Sequence, residues 1–284
     1  MSEYGKLYLC PTPIGNLGDM TIRTLETLKS VDLIGAEDTR NTLKLLNYFK
    51  IEVPLTSYYE HNKVQKGGVL IEKLKSGQNI ALVSDAGMPA ISDPGEDLVR
   101  ICIDEGIEVV PLPGPSAFTT ALVASGMPTG RFSFEGFLTT NKRNRKTHLE
   151  EIKNDTRTLI FYEAPHKLMY TLSDMLEVLG DREIVLAREL TKKFEEFYRT
   201  TISKAIVHYT ETPPKGEFVL IIKGADLMAI EEERKAALPD SRELLAEYSK
   251  QGMRGKELTN FVAERLGISK REVYDIYLKI KDAL

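Results

Sequence analysis

Five short apolar runs in the first half of the chain share one pattern. Each is followed by a loop rich in proline, glycine or charged residues, and then by a helical stretch. The runs are Lys6–Cys10, Asp32–Ala36, Leu55–Tyr59, Ile80–Val83 and Ile107–Leu112. The helical spacing follows at Thr21–Ser30, Thr42–Phe49, Val64–Lys75, about Glu96–Glu105 and Ala117–Ser125. Strands alternating with helices predict a parallel sheet covered on both faces. Such a sheet puts every one of those loops on the same edge, and ligands of open α/β sheets sit beyond the carboxyl ends of the strands. The loop that most constrains the fold is Ser84-Asp85-Ala86-Gly87-Met88-Pro89-Ala90-Ile91-Ser92-Asp93-Pro94-Gly95, with two glycines, two prolines and two aspartates between a strand and a helix. That is more rigid turn chemistry than a plain connection requires.

After Met127-Pro128-Thr129-Gly130, which reads as a hinge, a second α/β unit is expected. Its strands are Phe132–Phe137, Thr158–Tyr162, Glu183–Ala187, Glu196–Thr201 and Phe218–Ile222, and its helices include Leu168–Leu179 and about Ser203–Thr210. Ala225–Asp240 shifts to acidic, proline-bearing composition and reads as a linker. Three amphipathic segments follow: Ser241–Lys250, Gly255–Leu266, and a third capped by Ser269 that runs to Lys281. The short break at Gly267-Ile268-Ser269 is compatible with a helix-turn-helix. The expected division is therefore 1–117, 118–224, a linker 225–240 and a helical extension 241–284.

Composition excludes several classes. A net charge of −4 over 284 residues means that any surface for nucleic acid must be a local patch. Two cysteines, Cys10 and Cys102, lie in apolar runs with no CxxC, against a disulfide framework or zinc site. No apolar run reaches the roughly 18 residues of a membrane span, and the N-terminus lacks a signal-peptide pattern, so no membrane and a cytoplasmic location are expected. GxGxxG, GxxxxGK[ST], HExxH and GxSxG are all absent. Asp85 and Asp93 could bind a metal or cap the turns that follow them, and capping is the simpler reading. Gly87 and Gly114 would let backbone approach a ligand closely. Ser116, just before a helix, offers a hydroxyl and a helix N-terminus, a natural seat for a carboxylate. An amino-acid-like ligand would suit this set, which points loosely to S-adenosylmethionine.

Seven segments narrow the choice: Pro11-Thr12-Pro13-Ile14-Gly15-Asn16-Leu17, Gly35-Ala36-Glu37-Asp38-Thr39-Arg40, Tyr59-Glu60-His61-Asn62, Ser84–Gly95, Pro113-Gly114-Pro115-Ser116-Ala117, Phe161-Tyr162-Glu163-Ala164-Pro165-His166-Lys167 and Lys215-Gly216-Glu217-Phe218-Val219. In order, from about Lys6 to Gly224, they resemble the ribosomal RNA small subunit methyltransferase I family of the tetrapyrrole-methylase-like superfamily. The resemblance implies two α/β domains of the tetrapyrrole-methylase (class III methyltransferase) type with a cofactor cleft between them, plus a small all-α C-terminal extension. It implies a homodimer that uses S-adenosylmethionine to methylate the ribose 2′-oxygen of a cytidine in the decoding region of 16S rRNA, so the partner is 16S rRNA or the small ribosomal subunit. It also implies cofactor contacts at Pro13, Asp85, Ala86, Gly87, Ala90, Ile91, Ser116, Ala117, Phe161, Tyr162, Glu189 and Leu190. Porphyrin-methylating relatives carry Gly-Asp-Pro where this chain has Asp85-Ala86-Gly87-Met88-Pro89, which argues against a tetrapyrrole substrate.

Methyl transfer to a hydroxyl needs in-line positioning and a proton acceptor. The candidates at strand ends are His61 or Asp38 as base, Arg40 for a phosphate or the ribose, and Asn62 beside them. Glu163 and Glu189 are second choices as base. Equally, Asp38 could cap a helix and His61 pack in a turn. Lys142, Arg143, Arg145 and Lys146 form the densest basic cluster, and Arg254, Lys256, Lys270 and Arg271 a second, as candidate RNA contacts. Two other functions stay open on sequence grounds: methylation of a tetrapyrrole or other small molecule, and a non-catalytic RNA-binding assembly factor.

Overall fold

The computed structural model describes residues 4–228, 230 and 241–281. The chain divides into two compact units at Gly224/Ala225. Residues 231–240, most of the expected linker, lie outside the described residues.

The first unit contains two five-stranded sheets. In the first, β1 (Leu7–Leu9), β2 (Leu33–Ala36), β3 (Leu55–Ser57), β4 (Ile80–Val83) and β5 (Val109–Pro111) are all parallel, in the order β3-β2-β4-β1-β5. Side-chain alternation along β4 explains the two layers of helix. Ile80 and Leu82 point into one core with Leu70 and Leu74 of α3 (Lys63–Lys75) and Leu98 of α4 (Gly95–Asp104). Ala81 and Val83 point into another with Leu28 of α1 (Ile22–Ser30) and Leu46 of α2 (Thr39–Tyr48). Cys10 and Cys102 are buried free thiols in these cores. From β1 the chain crosses to β2 on one side, and from β4 it crosses to β5 on the other. The gap between β1 and β4 is therefore the topological switch point, where open α/β sheets bind ligands.

The second sheet is mixed. β6 (Phe132–Phe137), β7 (Thr158–Glu163), β8 (Glu183–Arg188), β9 (Glu196–Thr201) and β10 (Phe218–Ile222) lie in the order β6-β7-β10-β8-β9, with only β6 and β7 parallel. One face packs on α6 (Lys142–Glu151), α7 (Leu168–Leu179) and α8 (Ile202–Glu211). The other is covered by α5 (Ala117–Ser125), through Ala121 and Leu122 against Ile160, Val185, Val219 and Ile221. Met127–Gly130 thus links α5 to β6 of the sheet that α5 covers rather than linking the two sheets, and Thr158 Oγ1 donates to Pro128 O at 2.7 Å. It is not the hinge its composition suggests.

The described residues of the second unit include three helices, α9 (Ser241–Lys250), α10 (Gly255–Leu266) and α11 (Lys270–Ile280), packed around Leu245, Leu258, Val262 and Val273. Gly267 ends α10 at φ +64°, and Ser269 caps α11 by accepting from Glu272 N–H at 3.2 Å. Among the described residues no helix is long and apolar enough to cross a membrane.

Candidate active site

The switch point is closed by reciprocal backbone bonds. Thr12 N–H donates to Gly87 O at 2.9 Å, and Gly87 N–H to Thr12 O at 3.0 Å. Thr12 Oγ1 donates to Ser84 O at 3.1 Å and Ser84 Oγ to Gly87 O at 3.2 Å. The loops after β1 and β4 therefore form one floor. Asp85 ties that floor to the start of α2, accepting from Asp38 N–H at 3.0 Å and from the Asn41 side-chain amide at 3.2 Å. Asp93 Oδ1 accepts from Ala90 N–H at 3.0 Å and Gly95 N–H at 2.7 Å. These bonds hold Ala90 and Ser92 at φ of +67° and +63°, a region that costs a residue with a side chain about 1–2 kcal/mol. Both aspartates thus serve as loop acceptors, and no group of three or more His, Cys, Asp or Glu among the described residues is arranged to hold a metal ion.

Above the floor lies a cleft of about 430 Å³. The second sheet supplies its opposite wall. Phe218 is in register with both Glu163 and Arg188, so the ends of β7 and β8 and the start of β10 share one edge. From that edge Tyr162, Glu163, Ala187, Glu189, Leu190, Lys192, Glu217 and Val219 face the cleft, with Phe137 at the end of β6. Ile14, Glu37 and the start of α5 complete it.

The cleft has two chemical halves. Ile14, Ile91, Ala117, Leu190 and Val219 make an apolar wall. Glu37, Asp85 and Asp93 make an acidic one. Burial pushes the Glu37 carboxyl above the usual range, and the nearby charges of Asp85 and Asp93 push it further. Burial also raises Asp93, against the amides of Gly95 and Ala90 that favour its ionised form. Asp93 Oδ2 is buried without a hydrogen-bond partner, which is an open acceptor for a ligand donor. Ser116 precedes α5 without capping it through its side chain and lines the cleft with Ala117, while Phe118 N–H donates to the Tyr162 hydroxyl at 3.3 Å, so the first turn of α5, with its partial positive charge, forms part of the cleft wall. Burial opposes ionisation of Glu189, but Lys192 Nζ and Glu217 N–H, at 2.9 and 3.1 Å, together hold its carboxyl below the usual range.

Nine of the expected cofactor residues line this cleft: Asp85, Ala86, Gly87, Ile91, Ser116, Ala117, Tyr162, Glu189 and Leu190. Pro13 lines an adjoining hollow that shares Ser84 and Asp85. Ala90 is half-buried and does not line the cleft, and Phe161 is fully buried in the core under α7. Of the first-choice catalytic residues, His61, Asp38, Arg40 and Asn62, none lines the cleft, whereas the second choices Glu163 and Glu189 both do. Asp38 caps α2 and binds Arg40 through two side-chain bonds of 3.0 and 2.6 Å. The bonds from Arg40 hold the Asp38 carboxyl at about 2, which makes it a weak base. Asn62 builds the turn, accepting from Tyr59 N–H at 2.8 Å and donating to Ser57 Oγ at 3.1 Å. His61 is exposed, with its ring centroid 6.4 Å from that of Tyr59. Glu37, one residue before Asp38, lines the cleft although it is not among the residues expected to be catalytic. Its position at the end of β2 was the signal available.

The basic clusters also sort by burial. Lys142 and Arg143 are exposed on the first turn of α6, and Lys146 pairs with Glu177. Arg145 is different: it points inward, its side chain 9% exposed and bonded to buried Asp174 at 2.6 and 2.8 Å. It is a structural cation and not part of a surface patch. Arg254, Lys256, Lys270 and Arg271 are exposed in the second unit.

Residues 6–206 match the family model described as Tetrapyrrole (Corrin/Porphyrin) Methylases. Ribosomal RNA small subunit methyltransferase I of Bacillus subtilis (strain 168) is 52% identical over 277 residues, covering 97% of this chain and 95% of its own. Its counterpart in Synechocystis sp. is 47% identical, covering 98% and 99%. The chain belongs to the ribosomal RNA small subunit methyltransferase I family. Solved structures agree on the fold. Diphthine synthase superposes with a TM-score of 0.61 at 14% identity over 81% of this chain and 94% of that one. A Thermus thermophilus uroporphyrin-III C-methyl transferase, solved with S-adenyl homocysteine, gives 0.54 at 17% identity over 77% and 97%. The cleft lies inside the segment matched by the methylase family, apart from Glu217, just before β10, and Phe218 and Val219 within it.

Proposed function

We propose that this protein transfers the methyl group of S-adenosylmethionine to the ribose 2′-hydroxyl of a cytidine in the decoding region of 16S rRNA. The observation that carries the reading is the cleft at the β1/β4 switch point, half apolar and half acidic, in a chain of this family. The residues present fit such a cofactor. The apolar wall of Ile14, Ile91, Ala117, Leu190 and Val219 suits a flat base. The unpartnered Asp93 Oδ2 suits an ammonium, and the N-terminus of α5 suits a carboxylate. When bound, S-adenosylmethionine supplies a methyl group on a positively charged sulfur.

The chain's own residues do the rest. Glu37, Asp85 and Asp93 place negative charge in a partly enclosed site, where it favours a cation more than it would in water. Glu37 is the group we assign as proton acceptor for the ribose hydroxyl. Its carboxyl faces the cleft and is made more basic by burial and by its two acidic neighbours. Arg40, 85% exposed and oriented by Asp38, is assigned to an RNA phosphate. Lys142, Arg143, Arg254, Lys270 and Arg271 are assigned to further phosphates. A homodimer in the cytoplasm, where small subunits are assembled, completes the reading.

The test is methyl transfer to small ribosomal subunits lacking the modification, with labelled S-adenosylmethionine and mapping of the labelled ribose. Label that disappears with a 2′-deoxy target supports the reading. RNA binding without label would make the protein an assembly factor, and label only on a small pigment would make it a tetrapyrrole enzyme. Either result overturns the proposal.

A further inference from the structure

β6 and β7 run parallel, yet their register slips between Phe134 and Gly136: Phe134 faces Ile160, Gly136 faces Phe161 and Phe137 faces Tyr162. Unbroken alternation would send residue 137 to the Phe161 face of the sheet, into the core under α7. The bulge instead returns it to the face of Phe134 and Tyr162, which is the face of the cleft. Gly136 makes this possible by taking φ +63°, a conformation that side chains disfavour. Phe137 ends at the cleft wall with its ring 5.4 Å from that of Tyr162, tilted by 59°. Behind it, Phe118, Phe134 and Tyr162 are packed ring to ring, but Phe137 itself is 54% exposed.

A second device converges on the same ring. Lys167 Nζ lies over Phe137, 5.4 Å from the centroid. It is held there by Glu163, 3.1 Å away, whose side chain is 1% exposed. Glu163 is itself fixed by Ala164 N–H at 2.9 Å and by the Thr171 hydroxyl. A buried carboxylate costs stability unless it is fully bonded, and here its bonds aim one cation at the rim of the cleft.

We propose that Phe137 is the platform on which the base of the target nucleotide stacks, with Lys167 beside it for the neighbouring phosphate. Aromatic faces and single cations are the elements by which proteins hold unpaired bases of RNA. The inference rests on the rRNA methyltransferase reading and names residues of its RNA side. A base held on the β6 edge stands across the cleft from Glu37 and the loop after β4.

The test compares Phe137→Ala, Phe137→Trp and Lys167→Gln with wild type. Two quantities are measured: steady-state methylation of small subunits, and S-adenosylhomocysteine affinity by calorimetry. Phe137→Ala raises KM for the subunit about tenfold or more, the worth of one aromatic–base stack, with cofactor affinity unchanged. Phe137→Trp restores KM. Lys167→Gln lowers the salt dependence of RNA binding by about one phosphate. An unchanged KM in Phe137→Ala overturns the inference, and so does a parallel loss of cofactor affinity, which would make the ring part of the cofactor wall. Wild-type protein that leaves subunits unlabelled overturns the underlying reading and this inference with it.

Discussion

Replacing Asp174 by alanine tests whether Arg145 belongs to the fold or to the RNA surface. The pair is buried, with side chains 9% and 6% exposed, and joined by two bonds of 2.6 and 2.8 Å. Removing one member of a buried pair leaves an uncompensated charge and costs about 3–5 kcal/mol. Arg145 keeps two backbone partners, Thr139 O and Thr140 O at 3.0 and 3.1 Å, so the loss belongs near the lower end of that range. At about 2–4 °C per kcal/mol for a unit of this size, the melting temperature should fall by about 6–12 °C. The assay is thermal unfolding by circular dichroism, run beside RNA binding at several salt concentrations. The double variant Arg145→Met, Asp174→Leu should recover much of the stability, because an apolar pair fills the space without a desolvation penalty. A change below about 1 kcal/mol would show an exposed pair and refute the argument. So would a salt slope that drops by one phosphate when Arg145 is replaced.

Other variants follow from the same geometry. Lys142→Ala or Arg143→Ala should leave the melting temperature unchanged and reduce the salt slope of RNA binding by about 1. Glu37→Gln should lower turnover by about 10²–10⁴-fold, the usual worth of a general base, while cofactor binding survives. The folded state holds the Glu37 proton more tightly than the unfolded state does, so this group's contribution to stability falls as pH rises through its raised pKa. The glutamine variant should accordingly unfold at a higher temperature than wild type at pH 7, whereas wild-type activity should fall as pH drops below that pKa. Asp38→Ala and His61→Ala should reduce turnover far less than Glu37→Gln; a collapse in either would return it to the mechanism. Gly216→Ala places a Cβ 2.4 Å from Glu189 Cγ at φ +82°, so Glu189 must leave Lys192 and the Glu217 amide. Calorimetry should show weaker cofactor affinity.

What the sequence discloses depends on how local the cause is. The strands of the first sheet and the loops at their carboxyl ends are written in runs of four to a dozen residues, and most of the expected cofactor loops meet at the cleft. The fate of single charges is not local. Nothing in Lys142–Lys146 marks Arg145 as the buried member, because its partner lies 29 residues away on α7. Glu37 looks like part of a helix cap until Asp85 and Asp93 come beside it through the parallel pairing of β2 with β4. Asp38 and His61 carry the right side chains but spend them elsewhere, in a cap and at an exposed turn. The bulge that turns Phe137 around is also silent, since Phe132-Ser133-Phe134-Glu135-Gly136-Phe137 alternates well enough to pass for an ordinary strand.

The place of β10 has a consequence for how the protein is made. It is the last strand of the second sheet in sequence but the middle one in space, fully buried and paired antiparallel to both β7 and β8. Until residues 218–222 leave the ribosome, β6 with β7 and β8 with β9 can form only as two separate ribbons, each with an open edge of unpaired backbone. Glu217, Phe218 and Val219 then close the sheet and supply cleft wall in the same event. A nascent chain therefore offers the floor of the cleft without its opposite wall. Competence to bind should arise in one step, late in synthesis, and a chain truncated before Lys215 should be prone to aggregate rather than weakly active.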